Sequence, residues 1–95
     1  MRLKEEMREF FACYVRENFQ DAKVYLFGSR IDDNAKGGDI DILVISNEKL
    51  SFMDISRMRI HFYKMFSEQK IDIINFAYSE EDPFKKIALS HAIEL

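Results

Sequence analysis

The chain is poor in the residues that cross-link a protein or break its secondary structure. Its 95 residues include one cysteine, one proline, three glycines and no tryptophan. The single thiol of Cys13 cannot close an internal disulfide, and no signal peptide is recognisable, so we expect a reducing, cytoplasmic setting. Because its neighbours along the chain are apolar, Cys13 is interpreted as a core or boundary thiol. No apolar run approaches the ~18 residues that a membrane span needs.

A basic excess is also missing. The chain carries 14 Lys and Arg against 17 Asp and Glu, a net charge of −3. Proteins that bind nucleic acid through its phosphates carry a cationic footprint, so this balance argues against nucleic acid as a partner. The chain does have 47% apolar and 14% aromatic residues, which argue against disorder and suffice for one modest core. The length predicts a single domain over residues 1–95.

Periodicity and turn signals predict helices and strands in the order α-β-β-α-β-α. The predicted elements are a helix over 3–19, strands over 23–27, 39–45 and 71–76, a helix after Ser51 and a helix from Pro83 to Leu95. This order predicts an α/β (α+β) fold, a small mixed sheet of three or four strands covered by helices, with the strand order left open. The predicted inner faces of the last two helices are Phe52, Ile55, Met58, Phe62, Met65 and Phe66 in one, and Phe84, Ile87, Ala88, Ala92 and Leu95 in the other.

Carboxylates interrupt two of the apolar strands. Asp39 and Asp41 are two residues apart, so they share one face of their strand, and Asp72 lies between two isoleucines of the last strand. If these strands are neighbours, three like charges converge, and a divalent metal would compensate their repulsion. Two such ions form the usual clamp for displacement at phosphorus. An ion pair of Asp72 with Arg30 or Lys36 is the structural alternative.

A glycine turn ends the first strand. In Phe27-Gly28-Ser29 the glycine allows close approach of the backbone to a ligand, and the serine adds a hydroxyl at the start of a predicted helical turn. Such a turn suits a phosphate group. Taken alone it is also ordinary turn chemistry, so its weight comes from the carboxylates that follow it.

Together these motifs carry a family resemblance. Phe27-Gly28-Ser29, nine intervening residues and then Asp39-Ile40-Asp41-Ile42 resemble the signature of the DNA polymerase β-type nucleotidyltransferase superfamily. The strand Lys70-Ile71-Asp72-Ile73-Ile74 resembles the place of the family's third carboxylate. Gly28-Ser29-Arg30 and Gly37-Gly38-Asp39 are typical of its minimal nucleotidyltransferases (MNT), small proteins often encoded beside an all-helical HEPN partner as a toxin–antitoxin pair.

The resemblance implies a role for each matching position. Gly28 and Ser29 would hold the β- and γ-phosphates of a nucleoside triphosphate. Arg30 would either add positive charge near these phosphates or have only a structural role on the surface of the helical turn. Asp39, Asp41 and Asp72 would be the catalytic residues and the ligands of two Mg²⁺ ions. Asp72 would also help to remove the proton from an attacking hydroxyl.

The function expected from this resemblance is Mg²⁺-dependent transfer of a nucleotidyl group, AMP from ATP, to a hydroxyl of a protein partner. The expected partner is a HEPN-type protein, which would make this chain the antitoxin, in a homo- or hetero-oligomer. Two alternatives remain open. One is a non-catalytic module that neutralises its partner by occlusion, and the other is a catalytic subunit acting on a small molecule or RNA.

Overall fold

Three helices and a four-stranded sheet make up the part of the chain that the computed structural model describes, namely residues 1–32, 38–67 and 69–95. The helices are α1 (Glu5–Asn18), α2 (Phe52–Met65) and α3 (Pro83–His91), and the strands are β1 (Lys23–Phe27), β2 (Ile40–Ser46), β3 (Ile71–Ala77) and β4 (Ile93–Glu94); a 3₁₀ turn, Gly28–Ile31, follows β1. The predicted α/β (α+β) class and element order are confirmed. Within these residues no helix is long and apolar enough to cross a membrane.

The sheet is mixed, with the strand order β3-β2-β1-β4. β1 runs antiparallel to both of its neighbours, whereas β2 and β3 are parallel and are joined through α2. A parallel pair needs such a crossover, and a helix is its usual form. β2 therefore lies at the centre of the sheet, between the strand that ends at the glycine turn and the strand that carries Asp72.

Each face of the sheet is covered differently. On one face α1 and α2 bury a continuous core, in which Phe11 and Phe62 are fully inaccessible and their rings stack at a centroid distance of 5.2 Å. On the other face α3 covers a smaller cluster centred on Leu43, Ile45 and Phe76. The second face is left uncovered toward the start of β2 and β3, which is where the carboxylates lie.

Local signals place both later helices. Ser51 and Asp54 form a reciprocal capping box at the start of α2, and Asp82 caps α3, which has Pro83 in its first turn. α3 is also anchored by a buried cation, because the ammonium of Lys85 donates to the carbonyl of Ala77 at the end of β3 and to those of Tyr78 and Glu80 in the turn that follows, at 2.8–2.9 Å. A buried ammonium needs this kind of full satisfaction.

Two predictions about the helix faces are wrong. The last helix ends at His91, and Ile93–Glu94 instead pair with β1, since the edge of that strand offers free backbone groups. Ala92 is therefore extended, and Leu95 packs with the core of the opposite face. The predicted inner faces are also too wide, because Phe52 is 82% exposed, Met65 64%, Phe84 45% and Ile87 66%.

Candidate active site

Asp41 and Asp72 are brought together by the register of the two parallel strands. They are Cα partners in the β2–β3 ladder, and Asp41 is also the partner of Phe27 at the end of β1. Partners in a ladder point to the same face, which here is the face partly covered by α3. The condition on which the convergence of carboxylates depended, that their strands are neighbours, is met.

Asp39 lies one residue before β2 and is held at the edge of this patch. The following amide, of Ile40, donates to the carbonyl of Lys70 at 3.2 Å. The ammonium of Lys70 in turn lies 3.7 Å from Oδ2 of Asp39. This ion pair is largely exposed, so it contributes little to stability, but it does place a positive charge beside the acidic patch.

The electrostatics of the patch are unfavourable to ionised Asp41. Burial, followed by the negative charges of Asp72 and Asp39, raises the pKa of Asp41 above that of an ordinary aspartate. Two further carboxylates therefore act on Asp41 at this end of the sheet. A bound cation would remove the repulsion, so the patch is suited to a positively charged ligand.

The donor chemistry of the patch fits Mg²⁺, which prefers carboxylate oxygens and leaves positions for substrate phosphates. In residues 1–32, 38–67 and 69–95, however, no three Asp, Glu, His or Cys side chains are already grouped around one point as metal ligands. Asp39 is turned to Lys70 in this structure. Ligation by all three carboxylates would require Asp39 to turn away from Lys70, whereas the backbone register already places Asp41 beside Asp72.

Gly28 packs directly against the carboxylate of Asp41. Its φ is +77°, a conformation that L residues rarely adopt. A Cβ placed on Gly28 would overlap Oδ2 of Asp41 and would lie 3.1 Å from its Cγ. Glycine is thus required here both by the backbone conformation and by the neighbouring carboxylate, which ties the predicted phosphate turn to the predicted metal ligands. The side chain of Ser29 lies outside the part of the chain that the structure describes.

Arg30 has a different environment from the one expected of a phosphate ligand. Its guanidinium donates to the carbonyl of Gly38 at 3.1 and 3.3 Å, to the carbonyl of Arg2 at 3.1 Å and to Oε1 of Gln69 at 3.3 Å. It thereby links the turn after β1 to the residues that precede the two acidic strands. Lys36, a candidate partner of Asp72, lies outside the described residues.

A pocket beside the glycine turn was missed by the sequence reasoning. It has a volume of about 360 Å³ and is lined by Phe27, Gly28 and Ile31 on one side and by Phe84, Ile87 and His91 on the other. Its two walls come from segments far apart in the chain. The available signal was a surplus of apolar residues on the last helix, which periodicity assigned to the core.

The fold and this constellation define a class of protein. The nucleotidyltransferase domain family matches residues 3–95, and the chain belongs to that family. The predicted resemblance to the MNT group of the polymerase β-type superfamily is confirmed at the level of family and fold.

Particular relatives carry more specific names. The chain is 29% identical over 86 residues to the probable protein adenylyltransferase MntA of Haemophilus influenzae, a match that covers 90% of this chain and 75% of that protein. A crystal structure of a mutant MntA–HpeT toxin–antitoxin superimposes with a TM-score of 0.72 at 15% identity, covering 92% of this chain and 70% of that one. The Shewanella oneidensis MNT antitoxin in complex with its tri-AMPylated HEPN toxin gives a TM-score of 0.70 at 16% identity, covering 97% and 71%.

Proposed function

We propose that this protein is a Mg²⁺-dependent adenylyltransferase that transfers AMP from ATP to a hydroxyl group on a protein partner. The observation that carries the proposal is the pairing of Asp41 with Asp72 in the sheet, with Gly28 packed against the same carboxylate. The named activity of the MntA relative supports the adenylyl group and the protein acceptor. A solved toxin–antitoxin structure with AMP-PNP supports ATP as the donor.

The roles that we propose for these residues are those that the family resemblance implies. Asp41 and Asp72, joined by Asp39 once it leaves Lys70, would hold the Mg²⁺ ions, which neutralise the phosphates and the developing charge. Gly28 and Ser29 would receive the β- and γ-phosphates that leave as pyrophosphate.

The acceptor hydroxyl would approach Asp72, the exposed carboxylate of the three, which could accept its proton. The hydroxyl oxygen forms the new bond to the α-phosphorus as the bond to pyrophosphate breaks, so the phosphates of ATP are conserved between the products. Asp41, which is more buried than Asp72, would act only as a metal ligand.

The partner that we propose is a HEPN-type helical toxin, with this chain acting as the antitoxin. The names of the relatives and of the structural neighbours support this assignment. We further propose a cytoplasmic location, where ATP is available and the single thiol stays reduced. Residues 1–95 would form one nucleotidyltransferase domain.

The test is transfer of label from ATP carrying ³²P at the α-phosphate to the product of the adjacent gene, as the proposed partner. Wild type with Mg²⁺ should label the partner, and Asp41→Asn and Asp72→Asn should each abolish labelling while both variants remain folded. Asp21→Asn, a charge-matched change at an exposed position outside the site, should label normally. Absence of transfer by the wild type would overturn the enzymatic function; neutralisation of the toxin by the Asp41→Asn variant would instead establish occlusion.

A further inference from the structure

The pocket between β1 and α3 forms one continuous surface with the acidic patch. Gly28, which packs against Asp41, is also part of the pocket wall. Phe27 in the same wall is the ladder partner of Asp41, and partners of this kind have Cβ atoms roughly 4.5–5.5 Å apart. A ligand bound at the carboxylates can therefore extend into the pocket without leaving this face of the sheet.

The lining of the pocket is apolar and partly aromatic. The rings of Phe27 and Phe84 meet edge to face at a centroid distance of 6.0 Å. Phe84 and Ile87 are 45% and 66% exposed, so α3 presents apolar side chains to solvent at the mouth of the pocket. The imidazole of His91 is the one ionisable side chain among the lining residues.

The size of the pocket distinguishes between two kinds of occupant. A volume of about 360 Å³ is at the lower end of the range for small-molecule sites and is enough for a base with part of its ribose. A stable protein interface buries about 800 Å² on each partner, far more than this concavity offers. The occupant must be small and apolar enough for the pocket, and it must also reach the carboxylates beside it. A flat apolar group that is covalently attached to a phosphate chain meets both requirements.

We propose that this pocket binds the nucleobase of the donor nucleotide, with the base packed against Phe84 and Ile87. The proposal rests on the proposed function, because it takes the phosphates of that nucleotide to lie at Gly28. Every base has a π-face, so stacking contacts of this kind tolerate different bases. His91 is the residue in the wall that can read a base edge by hydrogen bonding. Purines, which bury more area than pyrimidines, should bind more tightly.

The experiment compares ATP with inorganic tripolyphosphate, which has the phosphates but no base. Both ligands are titrated calorimetrically with Mg²⁺ into wild type, Phe84→Ala and Ile87→Ser. Wild type should bind ATP more tightly than tripolyphosphate, and more tightly than CTP. Phe84→Ala should weaken ATP about tenfold and leave tripolyphosphate within about twofold, because stacking on one aromatic ring is lost.

Matched controls lie on α2, on the opposite face of the sheet. Phe52 and Ile60 are 82% and 53% exposed, and Phe52→Ala and Ile60→Ser should leave both affinities unchanged. Ile87→Ser alters an exposed side chain, so it tests the pocket even if Phe84→Ala proves unstable in a thermal melt. The affinity of Ile87→Ser for ATP should be lower than that of wild type, as for Phe84→Ala.

Three results would overturn the proposal. The first is wild-type affinity for ATP in both pocket variants. The second is equal binding of ATP and tripolyphosphate by wild type. The third is that the pocket variants bind ATP normally but have a raised KM for the protein acceptor, which would assign the pocket to the partner. Failure of wild type to bind either ligand is a different outcome, because it would remove the proposed function itself.

Discussion

Replacement of Gly28 by alanine tests whether the glycine turn and the acidic strand act as one site. The substitution adds one methyl group at a position where φ is +77°. The new Cβ would overlap Oδ2 of Asp41 and lie within 3.4 Å of its Cβ, so the carboxylate has to move. Because the atoms that the new Cβ meets all belong to the side chain of Asp41, relief of the overlap displaces the carboxylate that is the proposed metal ligand.

The expected effects on stability and on activity differ in size. An alanine in the left-handed conformation destabilises the folded state by roughly 1–2 kcal/mol. Replacing glycine also lowers the entropy of the unfolded chain, which stabilises the folded state by about 0.4–1 kcal/mol. The net conformational cost is therefore about 1 kcal/mol, or a fall in Tm of about 4–8 °C for a domain of this size. Displacement of a reacting group by ~1 Å costs on the order of 100-fold in rate. Activity should thus fall far more than stability.

The assay pairs a thermal melt with the initial rate of AMP transfer at saturating ATP. Gly38→Ala is the control, because Gly38 also has a positive φ, of +89°, and so carries the same conformational penalty. Its melting temperature should fall by a similar amount, while its rate should exceed that of Gly28→Ala by at least about tenfold. Equal rates in the two variants, or full activity of Gly28→Ala, would refute the coupling of Gly28 to Asp41.

Three other perturbations have equally definite outcomes. Because burial and neighbouring carboxylates raise the pKa of Asp41, the native state binds that proton more tightly than the unfolded chain, so metal-free stability should fall as the pH rises from the ordinary carboxyl pKa through the raised one. In calorimetry, Asp41→Asn should flatten this dependence, stabilise the metal-free protein at pH 7, and abolish stabilisation by Mg²⁺. Lys85→Met should cost about 2–4 kcal/mol in urea denaturation by orphaning three carbonyls, whereas Lys86→Met, at the next and exposed position, should be nearly neutral. If Arg30 acts by hydrogen bonding to backbone carbonyls, Arg30→Lys and Arg30→Gln should lower kcat equally, with little change in the KM for ATP. A raised KM in Arg30→Gln alone would instead indicate that the charge of Arg30 binds phosphate.

The parts of the fold that were predictable from sequence are those fixed by local chemistry. The capping box of Ser51 and Asp54 and the position of Pro83 depend on residues within one helical turn, so they could be located without knowing the rest of the molecule. β4 could not be predicted, because two residues become a strand only when β1 offers an edge to pair with. The prediction of a longer last helix failed for this reason.

The candidate site divides in the same way. The motifs around Gly28 and Asp41 were visible as patterns, but their contact depends on the antiparallel pairing of β1 with β2, which periodicity does not determine. Asp72 was expected to join them only if its strand was adjacent, and the register supplies that condition. The role of Arg30 was left open because its acceptors belong to segments distant in sequence.

The order of the strands also gives the proposed reaction a direction. Displacement at phosphorus places the attacking and leaving oxygens on opposite sides of the reacting atom. Gly28, where the leaving pyrophosphate would lie, follows β1, whereas Asp72 is on β3, an edge strand on the other side of β2. In this reaction the acceptor hydroxyl would come over β3, and the proposed base pocket, which lies beside β1, would leave that approach open. In the proposed reaction a protein acceptor would therefore need to present only a projecting hydroxyl at Asp72, the exposed carboxylate of the three.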